Sequence, residues 1–397
     1  MNSIRRAHQL GVSLIELMVA LVIGSILILG LVEVFAASRT AYQLSEGLSR
    51  VQENGRFAVD YLQRDLRMAG HMGCVNDQAR FQSAPAGFGS LFVNAANRAA
   101  ENYGAAPFTL QFDSAVAAYE ANGTGPGSTV NLAAPAAGWS PALPAAISAL
   151  GPAAGSDVIV LRYFSAEGVP MLSLTPGAAA TITVDPARWG VLTSGGVANP
   201  GLFGIADCLR ATVFQAETTD PATGEITVDG SGPLNLSDFS PDRYLQGQTT
   251  VHRAESVAYY IALNTGGNPA LFRTRFSSTP GGALATGTEE VVEGIENMQL
   301  LYGQDRQTDP NVAPSGYIDS IHAANGLIAV GTPAQTWRRV GLVKVGLLAV
   351  SPDRAAAQAS AILPQTLGVQ YTTPPNDGNF RAVYETTIAL RNRLYGN

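Results

Sequence analysis

Charge is scarce in this sequence of 397 residues, with Asp, Glu, Lys and Arg together making up 14% of it. Lys344 is the sole lysine, and the arginines are scattered without a basic cluster. With a net charge of -7 as well, the chain lacks the electrostatic footprint of a nucleic-acid binder. The scarcity of lysine also excludes a P-loop, which needs Gly-Lys-Ser/Thr, because Lys344 lies between Val343 and Val345. No Gly-x-Ser-x-Gly elbow occurs either. The nearest stretch, Gly138-Trp139-Ser140-Pro141-Ala142, puts a proline where an oxyanion-hole N–H would be needed. His71 and Cys74 have a ligand-like spacing, but His252 and His322 are isolated, so no zinc site is assigned and His71 is read as a helix-end residue. The chain is therefore expected to be no enzyme and to need no cofactor.

What the sequence does have comes first at its start. Gly11-Val12-Ser13-Leu14-Ile15-Glu16 leads directly into the apolar run Leu17 to Val32. About 20 apolar residues suffice to span a bilayer. A lone carboxylate at the head of such a segment is costly there and points to a role. The short leader before Gly11 carries Arg5, Arg6 and His8 and no acid, which under the positive-inside rule keeps it cytoplasmic and the bulk of the chain outside the inner membrane. A secretory signal peptide has a similar charged start and apolar middle, but no acid belongs at the head of its apolar region, and the chain runs on helically past Ala36 and Ala37. A plain membrane anchor is the stronger rival.

The six residues with their basic leader resemble the class III signal of type IV pilins and pseudopilins. The resemblance implies cleavage by prepilin peptidase between Gly11 and Val12, with N-methylation of Val12. Glycine suits such a site because its backbone can be approached closely. Val12 stands where the family usually has phenylalanine. Glu16 becomes the fifth mature residue, and the resemblance implies that it pairs with the terminal amine of a neighbouring subunit. That amine is cationic at neutral pH, so the two charges can neutralise one another inside an apolar helical bundle.

The apolar run continues into an amphipathic helix. Leu44, Leu48, Val51, Ala58, Leu62, Leu66 and Ala69 form one stripe of a 3.6-residue period, and Arg39, Glu46, Arg50, Glu53, Arg64 and Arg67 lie off it. No proline interrupts Val12 to Ala69, which predicts one helix about 87 Å long. Gly70 and Gly73 supply its stop. Gly24, Gly30, Gly47 and Gly55 weaken it by up to about 1 kcal/mol each against alanine, and are read either as points of local melting or as places of close packing.

The sequence thus divides into a leader (1–11), a transmembrane and filament-core helix (12–70) and a β-rich periplasmic head (71–397), an α+β architecture. A head of that size exceeds what one core usually organises, so two lobes, or one lobe with large insertions, are expected. Its 42 glycines, 23 prolines and low charge suit loop-rich β structure. Strands are expected at 157–164, 181–184, 212–216, 225–228, 257–263, 270–276, 291–302, 341–350 and 383–390, where β-branched and aromatic residues run between turn signals. The runs 257–263 and 270–276 flank Asn264-Thr265-Gly266-Gly267-Asn268-Pro269 as a hairpin. No parallel βαβ alternation occurs, so a large, mainly antiparallel sheet should pack on the striped half of the helix. Near 115–155 the chain is rich in Ala, Gly and Pro and almost uncharged, which reads as an insertion between lobes, or else as an ordered region packed on the sheet.

A narrower resemblance rests on blocks spread over the whole chain. Gln52-Glu53-Asn54-Gly55-Arg56-Phe57-Ala58, Leu62-Gln63-Arg64-Asp65-Leu66-Arg67-Met68-Ala69-Gly70, Gly73-Cys74, Val292-Glu293-Gly294-Ile295-Glu296-Asn297-Met298-Gln299 with Tyr302-Gly303 and Asp305, and Thr387-Ile388-Ala389-Leu390-Arg391-Asn392-Arg393 resemble the PilW family of type IV pilus minor pilins. That implies a minor pilin that helps nucleate or cap the filament with other minor pilins and the major pilin, served by prepilin peptidase and the inner-membrane assembly platform. It would be a single-pass inner-membrane protein with its C-terminal head in the periplasm, later carried in the pilus at its tip. A J-like pseudopilin of type II secretion shares the plan but is usually about half as long, and a tip-displayed adhesin or ligand-binding module is the reading from a different class.

Cys74 and Cys208 are the only cysteines, and an even pair in an oxidising compartment is expected to be bridged, the alternative being two buried thiols. Asp305, Asp309 and Asn311 could offer oxygens to calcium, but their spacing matches no EF-hand. They are read as solvated loop residues, with no metal assigned.

Overall fold

The computed structural model describes residues 11–75, 87–176, 179–239, 244–351, 353–355, 362–372 and 377–393. Arg5, Arg6 and His8 of the leader lie outside the described residues. Helix α1 spans Leu14–Met68 in one unbroken run of 55 residues, about 83 Å at 1.5 Å per residue. It ends where expected. The Ala69 N–H still reaches Asp65 O and Leu66 O, after which Gly70 (φ +76°) and Gly73 (φ +71°) take the left-handed backbone that favours glycine.

The two halves of α1 have different surroundings. Every large apolar side chain from Val12 to Phe35 is more than half exposed. Among the described residues this is one helix long and apolar enough to cross a membrane. Gly47 is the first buried helix residue, and Val51, Gly55, Ala58, Leu62, Asp65 and Leu66 follow on the same face. Leu44 and Leu48, expected on the buried stripe, remain 39% and 38% exposed because the head's cover thins toward that end. Two of the four glycines now have a reason. A Cβ at Gly47 would collide with Ala355, and one at Gly55 with the ring of Tyr384, so both let the head approach the helix closely. Gly24 and Gly30 have nothing within 4 Å.

The head is built from twenty strands among the described residues. In chain order they are β1 (Phe88–Ser90), β2 (Val116–Ala121), β3 (Thr129–Asn131), β4 (Trp139–Ser140), β5 (Val158–Phe164), β6 (Val169–Thr175), β7 (Ala179–Val184), β8 (Leu202–Ala206), β9 (Ala211–Gln215) and β10 (Thr218–Asp220). There follow β11 (Glu225–Asp229), β12 (Thr250–Leu263), β13 (Pro269–Ser277), β14 (Ala285–Glu293), β15 (Ile295–Asp305), β16 (Ile318–His322), β17 (Val340–Val350), β18 (Gln365–Thr366), β19 (Val369–Thr372) and β20 (Arg381–Ala389). One sheet takes β1, β2 and β4 to β14, a second has the order β16-β15-β17-β20, and a third the order β18-β19-β3. Only β1–β9 and β3–β19 pair in parallel among the described strands.

The long strand β12 organises the large sheet. Its first residues pair with β6 and β8, whereas Ala254 onward pairs with β5 and Ser256 onward with β13. One strand thereby runs through two cores. The first joins α1 (Val51, Ala58, Leu62, Leu66) to Leu161, Val257, Met298, Leu300, Val343 and Leu347 of both larger sheets. The second lies under β6 to β9, with Met171, Ile182, Phe203, Phe214 and Ile226.

Two expectations need correction in detail. The run 291–302 is two strands, because Gly294 (φ +76°) turns the chain between β14 and β15 and donates its N–H to Pro269 O. The stretch 115–155 is ordered and bound to the sheets: β2 is buried along its length and pairs with β5, β3 pairs with β19, and Trp139 Nε1 donates to Ser156 O. Beyond β2 most of the stretch is exposed or half-buried. The hairpin at 264–268 forms as read, with Asn264 Oδ1 accepting from the N–H groups of Gly266 and Asn268.

Candidate assembly site and the junction of helix and head

At the membrane end, Gly11 and Val12 form a short irregular lead-in to α1, and Val12 is 72% exposed. Ser13 caps the helix. Its Oγ accepts from Glu16 N at 3.2 Å, while the Glu16 carboxylate accepts from Ser13 N at 3.0 Å and Ser13 Oγ at 3.1 Å. This reciprocal box satisfies otherwise orphaned N–H groups of the first turn, and a negative charge at a helix N-terminus is electrostatically favoured. The isolated chain therefore gives Glu16 an intramolecular partner. Because Ser13 N is an amide on either side of a cut between Gly11 and Val12, the box is compatible with both forms of the chain. One face of the carboxylate is occupied, and the side chain as a whole stays exposed.

The other end of α1 is locked to the head by charge. Asp65 lies on the buried stripe, three residues beyond Leu62, and its Oδ2 accepts from Arg273 Nε and from the Tyr259 hydroxyl, both at 2.8 Å. Asp65 is 7% exposed, Arg273 9% and Tyr259 0%. Arg273 sits on β13 and Tyr259 on β12, so a single carboxylate joins the helix to two neighbouring strands. Beside it runs a second chain of charges, with Glu255 accepting from Arg253 Nε at 2.6 Å and forming an ion pair with Arg275, whose Nε lies 3.0 Å away. Sequence reading missed the latch although Asp65 was in a quoted motif. The signal was there, since an acid on the apolar stripe of a helix needs a buried partner.

Cys74 and Cys208 are disulfide-bonded, with Cα atoms 4.6 Å apart. The bridge ties the segment after α1 to the loop between β8 and β9, and it removes Cys74 from any metal set. His71 and His252, distant in sequence, come together edge to face at 5.8 Å between ring centroids. His71 Nδ1 faces Phe164 O and His252 Nδ1 faces Ser165 O, so each ring is held by a backbone carbonyl. Burial lowers the pKa of His252, and the neighbouring His71 adds to the effect.

Asp305, Asp309 and Asn311 take part in local hydrogen bonds. Asp305 is a buried residue rather than a solvated one, and its Oδ1 accepts from Gln307 N, Ser315 N and Ser315 Oγ at 2.7 to 3.0 Å. Asp309 Oδ1 accepts from Asn311 N at 2.9 Å, a local turn. Among the described residues no cluster of three His, Cys, Asp or Glu could hold a metal ion.

A second acid cluster, also unforeseen, sits where the two larger sheets meet. Asp157 Oδ1 accepts from Ala121 N on β2 and Oδ2 from Leu300 N on β15, both at 2.8 Å. Glu120 lies against it and accepts from Thr124 Oγ1, while its Oε2 and the hydroxyl of Tyr302 have no hydrogen-bond partner among the described residues. Burial pushes the Glu120 carboxyl up to about 7, and burial together with the charge of Glu120 pushes Asp157 well above the usual carboxylate range. The pair holds protons inside the head at pH values where exposed carboxylates hold none.

The structure thus has a single apolar helix opening on a capped glutamate, followed by a mainly antiparallel head latched to its far half. Residues 6–32 match the prokaryotic N-terminal methylation motif. Residues 258–392, from within β12 to beyond β20, match the Type IV Pilus-assembly protein W model. No curated protein matches the chain. Among solved structures it is similar to a type IV-like pilin from Thermus thermophilus at 18% identity, covering 36% of this chain and 68% of that one with a TM-score of 0.20. That overlap is too loose to inform the description of the head.

Proposed function

We propose that this protein is a minor pilin that takes part in type IV pilus assembly and helps nucleate or cap the filament with other minor pilins. The observation that carries this reading is the bare apolar half of α1, which begins at Glu16 and has no cover from the head. In this reading prepilin peptidase cuts between Gly11 and Val12, Val12 is N-methylated, and the protein waits in the inner membrane with its head in the periplasm. Other minor pilins, the major pilin and the assembly platform are its partners, and the tip is its place. The work done is packing, without catalysis. Glu16 then leaves or shares its box with Ser13 to meet the amine of a neighbour.

Two substitutions separate helix capping from intersubunit pairing. Glu16→Gln keeps a side chain able to close the capping box but has no charge. Glu16→Leu has neither. In a strain lacking the native copy, both variants should be processed and inserted yet be absent from sheared filaments. Incorporation of the glutamine variant at wild-type levels would show that Glu16 serves only its own helix.

A further inference from the structure

Two buried carboxyls sit where the two larger sheets join. Residues 155–157, just ahead of β5, run beside β15: Asn297 Nδ2 donates to Gly155 O at 2.7 Å, Met298 N to Ser156 Oγ at 3.0 Å, and Asp157 N to Met298 O at 2.9 Å. The Asp157 side chain then reaches both sheets, with Oδ1 accepting from the N–H of Ala121 at the end of β2 and Oδ2 from that of Leu300 on β15. Glu120, the chain neighbour of Ala121, lies against it. Glu120 is 2% exposed and Asp157 1%.

The donors around the pair decide where a proton belongs. Each oxygen of Asp157 has its own N–H, which favours the charged form. Glu120 Oε1 accepts from Thr124 Oγ1 at 3.2 Å and the Ala324 N–H also faces this carboxyl, but Oε2 has no donor among the described residues. Two ionised carboxylates in contact away from water repel one another, and no arginine, lysine or histidine is among the described groups that act on them. A proton on Glu120 removes that repulsion and turns this carboxyl into a donor to Asp157. Tyr302 from β15 and Tyr371 from β19 are the other titratable groups that sense the pair, and burial keeps both phenols protonated well beyond neutral pH.

We propose that Glu120 and Asp157 form a proton-dependent clasp: with the Glu120 proton in place they hold the end of β2 to β15, and its loss releases that seam while β12 and β17 stay packed on α1. The dependence has a definite sign. Burial pushes the Glu120 carboxyl up to about 7, so the clasp is complete in mildly acidic medium and weakens as pH rises through neutral. The proposal stands apart from the assembly role.

Hydrogen exchange read by mass spectrometry on the full chain in detergent, at pH 6.5 and 8.5 and corrected for the intrinsic rise of exchange with pH, tests it. Protection in peptides covering Ala121 and Leu300 should fall about tenfold or more between the two values, and peptides from 257–263 and 343–348 should keep theirs. Glu120→Gln, whose amide is a permanent donor to Asp157, should show no such fall. An infrared titration of the wild type covers the case in which the variant does not fold: a protonated buried carboxyl band should be present at pH 6.5 and gone at 8.5. Equal wild-type protection at both pH values overturns the proposal, as does a fall spread evenly over all four peptides or one that Glu120→Gln reproduces. Absence of the carboxyl band at pH 6.5 overturns it as well.

Discussion

Asp65→Ala tests whether the head is latched to the helix by charge. The substitution removes the acceptor of two bonds of 2.8 Å and leaves the guanidinium of Arg273, a residue 9% exposed, without its nearest buried counter-charge. Removing one partner of a buried pair costs about 3–5 kcal/mol. Arg273 keeps a 3.0 Å contact to Glu289, but that side chain is 60% exposed and such a contact stabilises little. The loss should therefore fall near the low end, about 3 kcal/mol. Asp65→Asn keeps an acceptor for the Tyr259 hydroxyl and should lose about 1–2 kcal/mol. The double variant Asp65→Leu with Arg273→Met removes both charges, and replacing a buried pair by apolar groups is often neutral, so it should lie within about 1 kcal/mol of wild type. Urea unfolding of the full chain in detergent, followed by the fluorescence of Trp139, Trp189 and Trp337 at unchanged slope, gives these differences. An Asp65→Ala loss below about 0.5 kcal/mol, or a double variant as unstable as the sum of the singles, would refute the latch.

Three further outcomes follow from the same contacts. Gly55→Ala should destabilise by about 1–3 kcal/mol in a thermal melt although alanine favours helix, because the new methyl meets the Tyr384 ring, whereas Gly30→Ala, with open space around it, should stabilise by up to about 1 kcal/mol. Replacing Cys74 and Cys208 by serine should cost at most about 4–5 kcal/mol, the entropy of a loop closed over 134 residues, and reduction of the wild type should reproduce it. For the buried acids, Glu120 holds its proton up to about pH 7 in the fold against 4.5 as its ordinary value, so its contribution is complete below 4.5 and is lost as pH rises to about 7. Glu120→Gln should flatten that part of the stability profile, and a profile as steep as wild type between pH 4.5 and 7 would show that Glu120 titrates normally.

The helix was readable in advance because two local signals agreed, an apolar run with no proline and a stripe ending at two glycines. Its far half was read with the wrong edge, since Leu44 and Leu48 share the apolar pattern but not the cover of the head. The hairpin around Asn264-Thr265-Gly266-Gly267-Asn268-Pro269 was equally legible. The short strands β2, β6 and β8 were not, because Val116–Ala121 is rich in alanine, β6 contains Pro170, and β8 has Gly204 at its centre. Their conformation is imposed by the neighbours they pair with. The two buried ionic clusters were out of reach for the same reason: Asp65 with Arg273 and Glu120 with Asp157 join elements far apart in the chain. The capping box is local, and Ser13 three residues before Glu16 was a signal for it that the sequence analysis did not take up.

The most direct test of the account is the N-terminal mass of this subunit in filaments sheared from a piliated cell. The account predicts that the protein is there and that its first peptide begins at Val12 with one added methyl group on the amine. A chain that begins elsewhere, for instance after Ala37, or one found in the membrane but never in filaments, would contradict it.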